Sequence, residues 1–321
     1  MIRYVLAMIA ATTLAGPAAA QVGYPTRTIT MIVGFAPGGG TDTVARVVAP
    51  KLAANIGTSV VVENKAGAGG NVATDHVAKA PPDGYTILLG NVGSLAVAPH
   101  LVAKLPYDPL RDLAPITMAV VFANVLVVDP ALEVRDLADF VRLAKAKPGA
   151  ISYGSSGIGG AGHLAGELLK QMAGIDIVHV PYKGGGPAMQ GMLGGQVQAI
   201  FATPVSAGGQ IRAGRVRAIA TTGSARSTHL PEVPTVAEAG YPGYEALNWY
   251  AFLAPAATPR PILERLHVEL VRALQAADVR EQLDRQGVEP QPGTPEELHR
   301  YMERELATWG RVVKEAKVEV N

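Results

Sequence analysis

Thr28-Ile29-Thr30-Met31-Ile32-Val33 runs directly into Gly34-Phe35-Ala36-Pro37-Gly38-Gly39-Gly40-Thr41-Asp42. The first six residues, rich in β-branched and apolar side chains, read as a buried strand, and the glycine loop ends it. Beyond the loop, Asp42 to Asn55 has the apolar spacing of an amphipathic helix, and Ser59-Val60-Val61-Val62-Glu63 is a second strand. Strand, helix and strand at this spacing predict a βαβ unit, and hence a parallel sheet with helices on its faces.

Outward from that unit the alternation continues through a helix after Asn71, the strand Tyr85–Leu89 and a short helix after Ser94. It breaks between Pro115 and Pro130, where the apolar runs Ile116–Val121 and Val125–Val128 are separated only by Phe122-Ala123-Asn124, the expected first crossing between two lobes. A second βα series follows, with strands at Ile151–Tyr153, Ile177–Val180, Val197–Ala202 and Val216–Thr222 and helices at Asp136–Lys145, Ala161–Met172 and Pro187–Leu193. The proline-punctuated segment Leu230-Pro231-Glu232-Val233-Pro234, a short helix, Tyr241-Pro242-Gly243-Tyr244 and the strand Leu247–Leu253 predict the return crossing. From Arg260 to Lys317 the chain reads as helices of alternating charge that complete the first lobe. The expected fold is therefore α/β and two-lobed, with a cleft and a crossing-strand hinge. Lobe 1 takes residues 21–123 and 248–321, and lobe 2 takes residues 124–247.

Residues 1–20 carry Arg3, an apolar run Tyr4–Leu14 and the small-residue end Gly16-Pro17-Ala18-Ala19-Ala20, the pattern of a secretory signal cleaved near Ala20. The run is too short to span a hydrocarbon core, which needs about 20 residues. Periplasmic location is the expectation. There is no cysteine, which excludes disulfides, thiolate metal sites, a cysteine nucleophile and a lipidated N-terminal cysteine. Removing residues 1–20 leaves Lys+Arg and Asp+Glu equal at 27 each, so nothing points to nucleic acid.

Ligands of open α/β sheets bind beyond the carboxyl ends of the strands. Three glycine-rich loops stand there: Gly34–Asp42, Gly154–His163 and Pro181–Pro187. Each precedes a helix, so backbone N–H groups and the helix dipole favour an anion, and a carboxylate is the expected guest. For any one loop taken alone, glycines that merely make the turn are an equal reading. Gly157-Ile158-Gly159-Gly160-Ala161-Gly162 fits the dinucleotide G-x-G-x-x-G pattern, but Val180-Pro181-Tyr182-Lys183 lacks the acid that would hold a ribose. Gly154-Ser155-Ser156-Gly157 has the wrong spacing for a hydrolase elbow, and neither a phosphate loop nor an H-x-x-x-H zinc pair occurs. No cofactor, metal or catalytic residue is expected.

Phe35–Asp42, Val62-Glu63-Asn64-Lys65-Ala66-Gly67-Ala68-Gly69-Gly70-Asn71 and Pro82-Asp83-Gly84-Tyr85-Thr86 closely resemble the Bug family of tripartite tricarboxylate transporter receptors. The resemblance continues through Tyr107-Asp108-Pro109, Tyr153–Gly157, His163–Glu167, Val180–Gly184 and Trp249-Tyr250 before Ala254-Pro255. It implies a type II periplasmic binding fold, a carboxylate held mainly by backbone amides, hydroxyls and waters, and membrane transport subunits as partners. Carried over by motif, Phe35, Gly38, Gly39, Thr41 and Asp42 line one wall, and Ser155, Ser156 and His163 the other. Gly90, Ser94, Thr203 and Pro204 complete the floor on loop position alone. Asp42 is expected to cap backbone N–H groups rather than face an anion, and His163 to donate to the ligand, with packing beneath its loop as the alternative. A receptor that signals to a sensor kinase is the competing role. The identity of the carboxylate stays open among di- and tricarboxylates, acidic amino acids and aromatic acids, and a monomer is the default.

Overall fold

In the computed structural model, residues 23–315 are described; the secretory-signal reading of residues 1–20 lies outside the described residues. Strands β1 (Ile29–Val33), β2 (Val60–Asn64), β3 (Thr86–Asn91), β4 (Leu113–Ala123) and β10 (Leu247–Pro255) form one sheet in the order β2-β1-β3-β10-β4. A second sheet, β7-β6-β8-β5-β9, is built from β5 (Val125–Val128), β6 (Ser152–Ser155), β7 (Val178–Pro181), β8 (Ala199–Ala202) and β9 (Arg217–Thr221).

Neither sheet is wholly parallel. β1 is parallel to β2 and β3, and β6 to β7 and β8, as the βα spacing predicts. The strands next to the crossings run the other way: β10 is antiparallel to β3 and β4, and β5 to β8 and β9. Crossings impose this, because a strand entering a sheet from the hinge travels against those that run toward the cleft.

One residue, Asn124, separates β4 from β5, and the chain returns between β9 and β10. Thr222 ties the two crossings together. Its hydroxyl accepts from the Asn124 N–H at 2.8 Å and donates to the Ala246 carbonyl at 2.7 Å, while its own N–H donates to the Asn124 carbonyl at 2.9 Å. The short helix expected after Pro234 is a single turn instead. Thr235 and Glu238 cap each other reciprocally, but Gly240 (φ 110°) stops propagation at once.

Helices cover both sheets. α1 (Gly40–Ile56) and α8 (Arg260–Gln275) bury Val44, Val48, Leu52, Leu266 and Leu270 against Ile29 and Met31 of the first sheet. The last helix of the described chain, α10 (Pro295–Glu315), packs Leu298, Met302 and Trp309 into the core that contains Trp249. Glu305 fixes that docking, since one oxygen, Oε2, accepts from the Trp249 indole at 2.8 Å and from the Trp309 indole at 3.1 Å. Replacing Glu305 with Ala strands two buried N–H groups and should cost on the order of 3 kcal/mol. Urea unfolding of Glu305→Ala should show a lowered midpoint at unchanged slope; a wild-type midpoint would contradict the role.

Candidate functional site

Four helices begin at one place. α1 starts after the glycine loop of β1, α5 (Ala161–Ala173) after β6, α6 (Gly185–Leu193) after β7 and α7 (Pro204–Arg212) after β8. Gly39, Gly40 and Thr41 at the start of α1, Ala161 of α5, Gly185 of α6 and Thr203 before α7 line a chamber of about 20 Å³. Phe35, Asn91, Ser156, Asn248 and Tyr250 complete its lining. The site therefore lies at the carboxyl ends of strands from both sheets.

The caps leave the helices unfinished. Gly39, Gly160 and Gly184 occupy the cap positions of α1, α5 and α6 and supply no side-chain acceptor, whereas Thr203 accepts from the Ser206 N–H at 3.2 Å. The first-turn N–H groups of three helices are thus free of side-chain caps, and each N-terminus carries roughly half a positive charge.

Glycine lets the facing loops meet. A Cβ on Gly40 would lie 2.8 Å from the Tyr250 hydroxyl and 3.0 Å from Thr203 Oγ1, and a Cβ on Gly69 would lie 2.4 Å from the Ile158 carbonyl oxygen. The Ala36 N–H donates across the cleft to the Lys183 carbonyl at 2.9 Å. The cleft is closed in this conformation. A second pocket of about 190 Å³, lined by Gly67, Ala68, Ile158, Tyr182 and Lys183 among others, shares Phe35 and Ser156 with the chamber.

Asp42 is buried but does not line the chamber. Its carboxylate accepts from the Gly38 N–H at 3.0 Å, Asn64 Nδ2 at 2.9 Å and Arg46 Nε at 3.0 Å. Burial pushes its pKa up, yet the Arg46, Gly38 and Asn64 hydrogen bonds outweigh burial and hold it below the ordinary value. Asn64 also donates to the Phe35 carbonyl at 2.9 Å, so this network shapes the loop in the capping role expected of Asp42.

His163 lies beneath its loop, outside the chamber lining. Its Nδ1 accepts from the Gly159 N–H at 3.1 Å, and its ring stacks on His179 with centroids 4.0 Å apart. His179 Nε2 is 2.7 Å from Ser155 Oγ, which also donates to the Gly157 carbonyl at 3.0 Å. Ser155 therefore ties down the loop, and its neighbour Ser156 faces the chamber. Burial lowers the pKa of both histidines, that of His179 to about 3, with the adjacent His163 adding to the shift.

Of the other residues carried over by motif or loop position, Phe35, Gly39, Thr41 and Thr203 line the chamber. Gly38 makes the preceding turn at φ 83°, in the left-handed region. Ser94 is buried and donates to Asn91 Oδ1 at 3.1 Å, so it positions a lining residue without lining. Gly90 faces the side chains of Leu88, Leu95 and Leu253, and Pro204 lines a separate groove that includes Arg226 and His229. Gly40, Asn91, Ala161, Gly185, Asn248 and Tyr250 were not among the expected site residues. Asn248 and Tyr250 share one face of β10, and a polar residue two before a tyrosine in an otherwise apolar strand was the available signal. The Tyr250 hydroxyl is buried, which raises its pKa, with the nearby Thr41 side chain acting in the opposite direction.

The histidine stack predicts a pH dependence. Both histidines take up their protons at lower pH when folded than when unfolded, where they titrate near pH 6.5. The unfolded chain then holds more protons, so stability falls as pH drops from about 6.5 toward 3, by up to about 1.4 kcal/mol per pH unit for each fully unbalanced histidine. Unfolding free energies between pH 6.5 and 4.5 should fall steeply in the wild type and less steeply in His179→Leu; identical slopes would remove the stack as the cause.

Residues 44–318 match the description "Tripartite tricarboxylate transporter family receptor". The BugT protein of Bordetella pertussis is 41% identical over 96% of this chain and 94% of its own length. A solved Rhodopseudomonas palustris protein with adipate is 36% identical, with a TM-score of 0.89 over 92% of this chain and 99% of that one. MatC from the same organism, with bound malate, is 34% identical with a TM-score of 0.87 over 90% of this chain and all of that one. By extent of match and identity, this chain belongs to the family of tripartite tricarboxylate transporter receptors.

Proposed function

We propose that the chain is exported by cleavage near Ala20, captures a small carboxylate between its two lobes in the periplasm, and presents it to the large and small membrane subunits of a tripartite transporter. The observation that carries this reading is the convergence of four helix N-termini, three without side-chain caps, on one chamber fed from both sheets. Such an arrangement favours an anion by both dipole and hydrogen bonding.

Related chains support the class of guest, since those solved with adipate and with malate both carry dicarboxylates. Receptors of this family are periplasmic, and no described helix is long and apolar enough to cross a membrane. Binding rather than catalysis is supported by the family, whose model describes a transporter receptor, and by a solved relative described as a periplasmic binding protein.

We assign lobe 1 to residues 21–123 and 248–321 and lobe 2 to residues 124–247. Contacts between the lobes are made by the facing loops, so the ligand itself supplies the differential affinity for the closed form.

A thermal-shift screen of refolded, ligand-stripped mature protein against mono-, di- and tricarboxylates tests the reading. A true ligand at about 100 times its Kd should add about 2.7 kcal/mol; silence across the panel would reject a carboxylate guest. Gly39→Val, whose Cβ would lie 3.3 Å from the Gly185 nitrogen and 3.5 Å from the Gly186 nitrogen of the facing lobe, should weaken binding more than tenfold, about 1.4 kcal/mol, while leaving the ligand-free melting temperature close to wild type. Unchanged affinity would place the binding site outside this chamber.

A further inference from the structure

The chamber holds a buried polar group that the protein leaves unpartnered. Asn248 on β10 is 6% exposed and lines the chamber. Its Nδ2 donates to Asn124 Oδ1 at 3.3 Å, but its Oδ1 has no hydrogen-bond partner among the described residues. Asn124 is 1% exposed, and its own Nδ2 is likewise unpartnered. Buried amide groups are nearly always paired, so an orphaned carbonyl in a ligand chamber points to a partner brought by the ligand.

Resting on the carboxylate reading of the chamber, we propose that Asn248 recognises a hydroxyl on the carbon next to the bound carboxylate, making the preferred guest a 2-hydroxy acid. The helix N-termini around the chamber present donors, which suit carboxylate oxygens. Asn248 Oδ1 presents an acceptor, which needs a donor on the same ligand. Thr203 Oγ1 caps α7 and the Asn91 amide is held by Gly69 and Ser94, while the hydroxyls of Thr41, Ser156 and Tyr250 can donate as well as accept; the Asn248 carbonyl can only accept.

An ammonium group is the other donor that could meet the carbonyl, and the electrostatics disfavour it. No acidic side chain lines the chamber, Asp42 is occupied by Arg46, Asn64 and the Gly38 N–H, and the helix ends repel a cation. Position follows from adjacency: Asn248 shares the chamber with the helix N-termini that suit the carboxylate, and the neighbouring pocket, which shares Phe35 and Ser156 with the chamber, gives the remainder of a longer acid a path outward.

Asn124 is the positioning residue. It is the single residue between β4 and β5, and its backbone is held by Thr222 on the return crossing. Its Oδ1 takes the Asn248 N–H and leaves the Asn248 carbonyl for the ligand. The amide pair therefore joins both crossings to the site.

The test is calorimetric titration of ligand-stripped mature protein with acids that differ by one hydroxyl: lactate against propionate, malate against succinate, and 2-hydroxyglutarate against glutarate. At least one pair should show a preference of tenfold or more for the hydroxy acid. Asn248→Ala should abolish that preference while retaining the affinity for the plain acid, and Asn124→Ala should reduce it. Equal wild-type affinities within every pair that binds would overturn the proposal. So would an equal loss for both acids in Asn248→Ala, which would put the amide N–H on the carboxylate instead. If no acid of any pair binds, the carboxylate reading itself falls and the hydroxyl with it. The wild-type comparison decides the matter even where a variant does not fold.

Discussion

The first turns of α1, α5, α6 and α7 meet around one chamber, and the proposed function depends on this crowding of like dipole ends. Partial positive charges from both sheets meet where water is excluded, so closure without an anion is opposed and closure around one is favoured. No arginine or lysine is needed inside the chamber, and none lines it. Glycine caps at Gly39, Gly160 and Gly184 withhold the side-chain oxygens that would otherwise satisfy the same N–H groups. The one acid at the site, Asp42, is drawn away by Arg46 and Asn64 and used to hold the loop.

Bringing those helix ends together and apart requires lobes that stay rigid and a hinge that yields. Rigidity in the first lobe comes from strands covered by α1 and α8, and from Glu305 gathering two indoles where α10 docks. In the second, the Ser155–His179–His163 stack keeps the loop before α5 in shape from beneath. The hinge is slight by comparison: Asn124 on one crossing, the return segment on the other, and Thr222 hydrogen-bonded to both. Asn248, on the strand that completes the return, faces the chamber, so the hinge and the site share a residue.

Much of this was legible in the sequence. The β-branched runs and the glycine loops predicted the βα units and the loops that meet at the chamber, because those signals are local. Strand direction was not local. β5 and β10 run antiparallel to neighbours because of where the crossings place them, which periodicity does not report. At the site, Phe35, Gly39, Thr41, Ser156 and Thr203 lie in the lining, whereas Gly90, Ser94, Ser155 and His163 support it from behind. Sequence places such residues on the correct loop but cannot say which way each side chain turns. Asn248 and Tyr250 lie within a strand, away from the glycine loops that mark the other lining residues in the sequence.

Ligand-coupled closure is the central claim, and a distance measured between the lobes tests it most directly. The chain has no cysteine, so spin labels can be confined to Val61→Cys on β2 and Val178→Cys on β7, two exposed positions on outer strands of the two sheets. Pulsed electron–electron resonance on ligand-stripped protein should give a broad distribution that narrows and shifts when a binding carboxylate is added. The same distribution with and without the carboxylate, at a concentration shown to saturate the protein, would contradict the account.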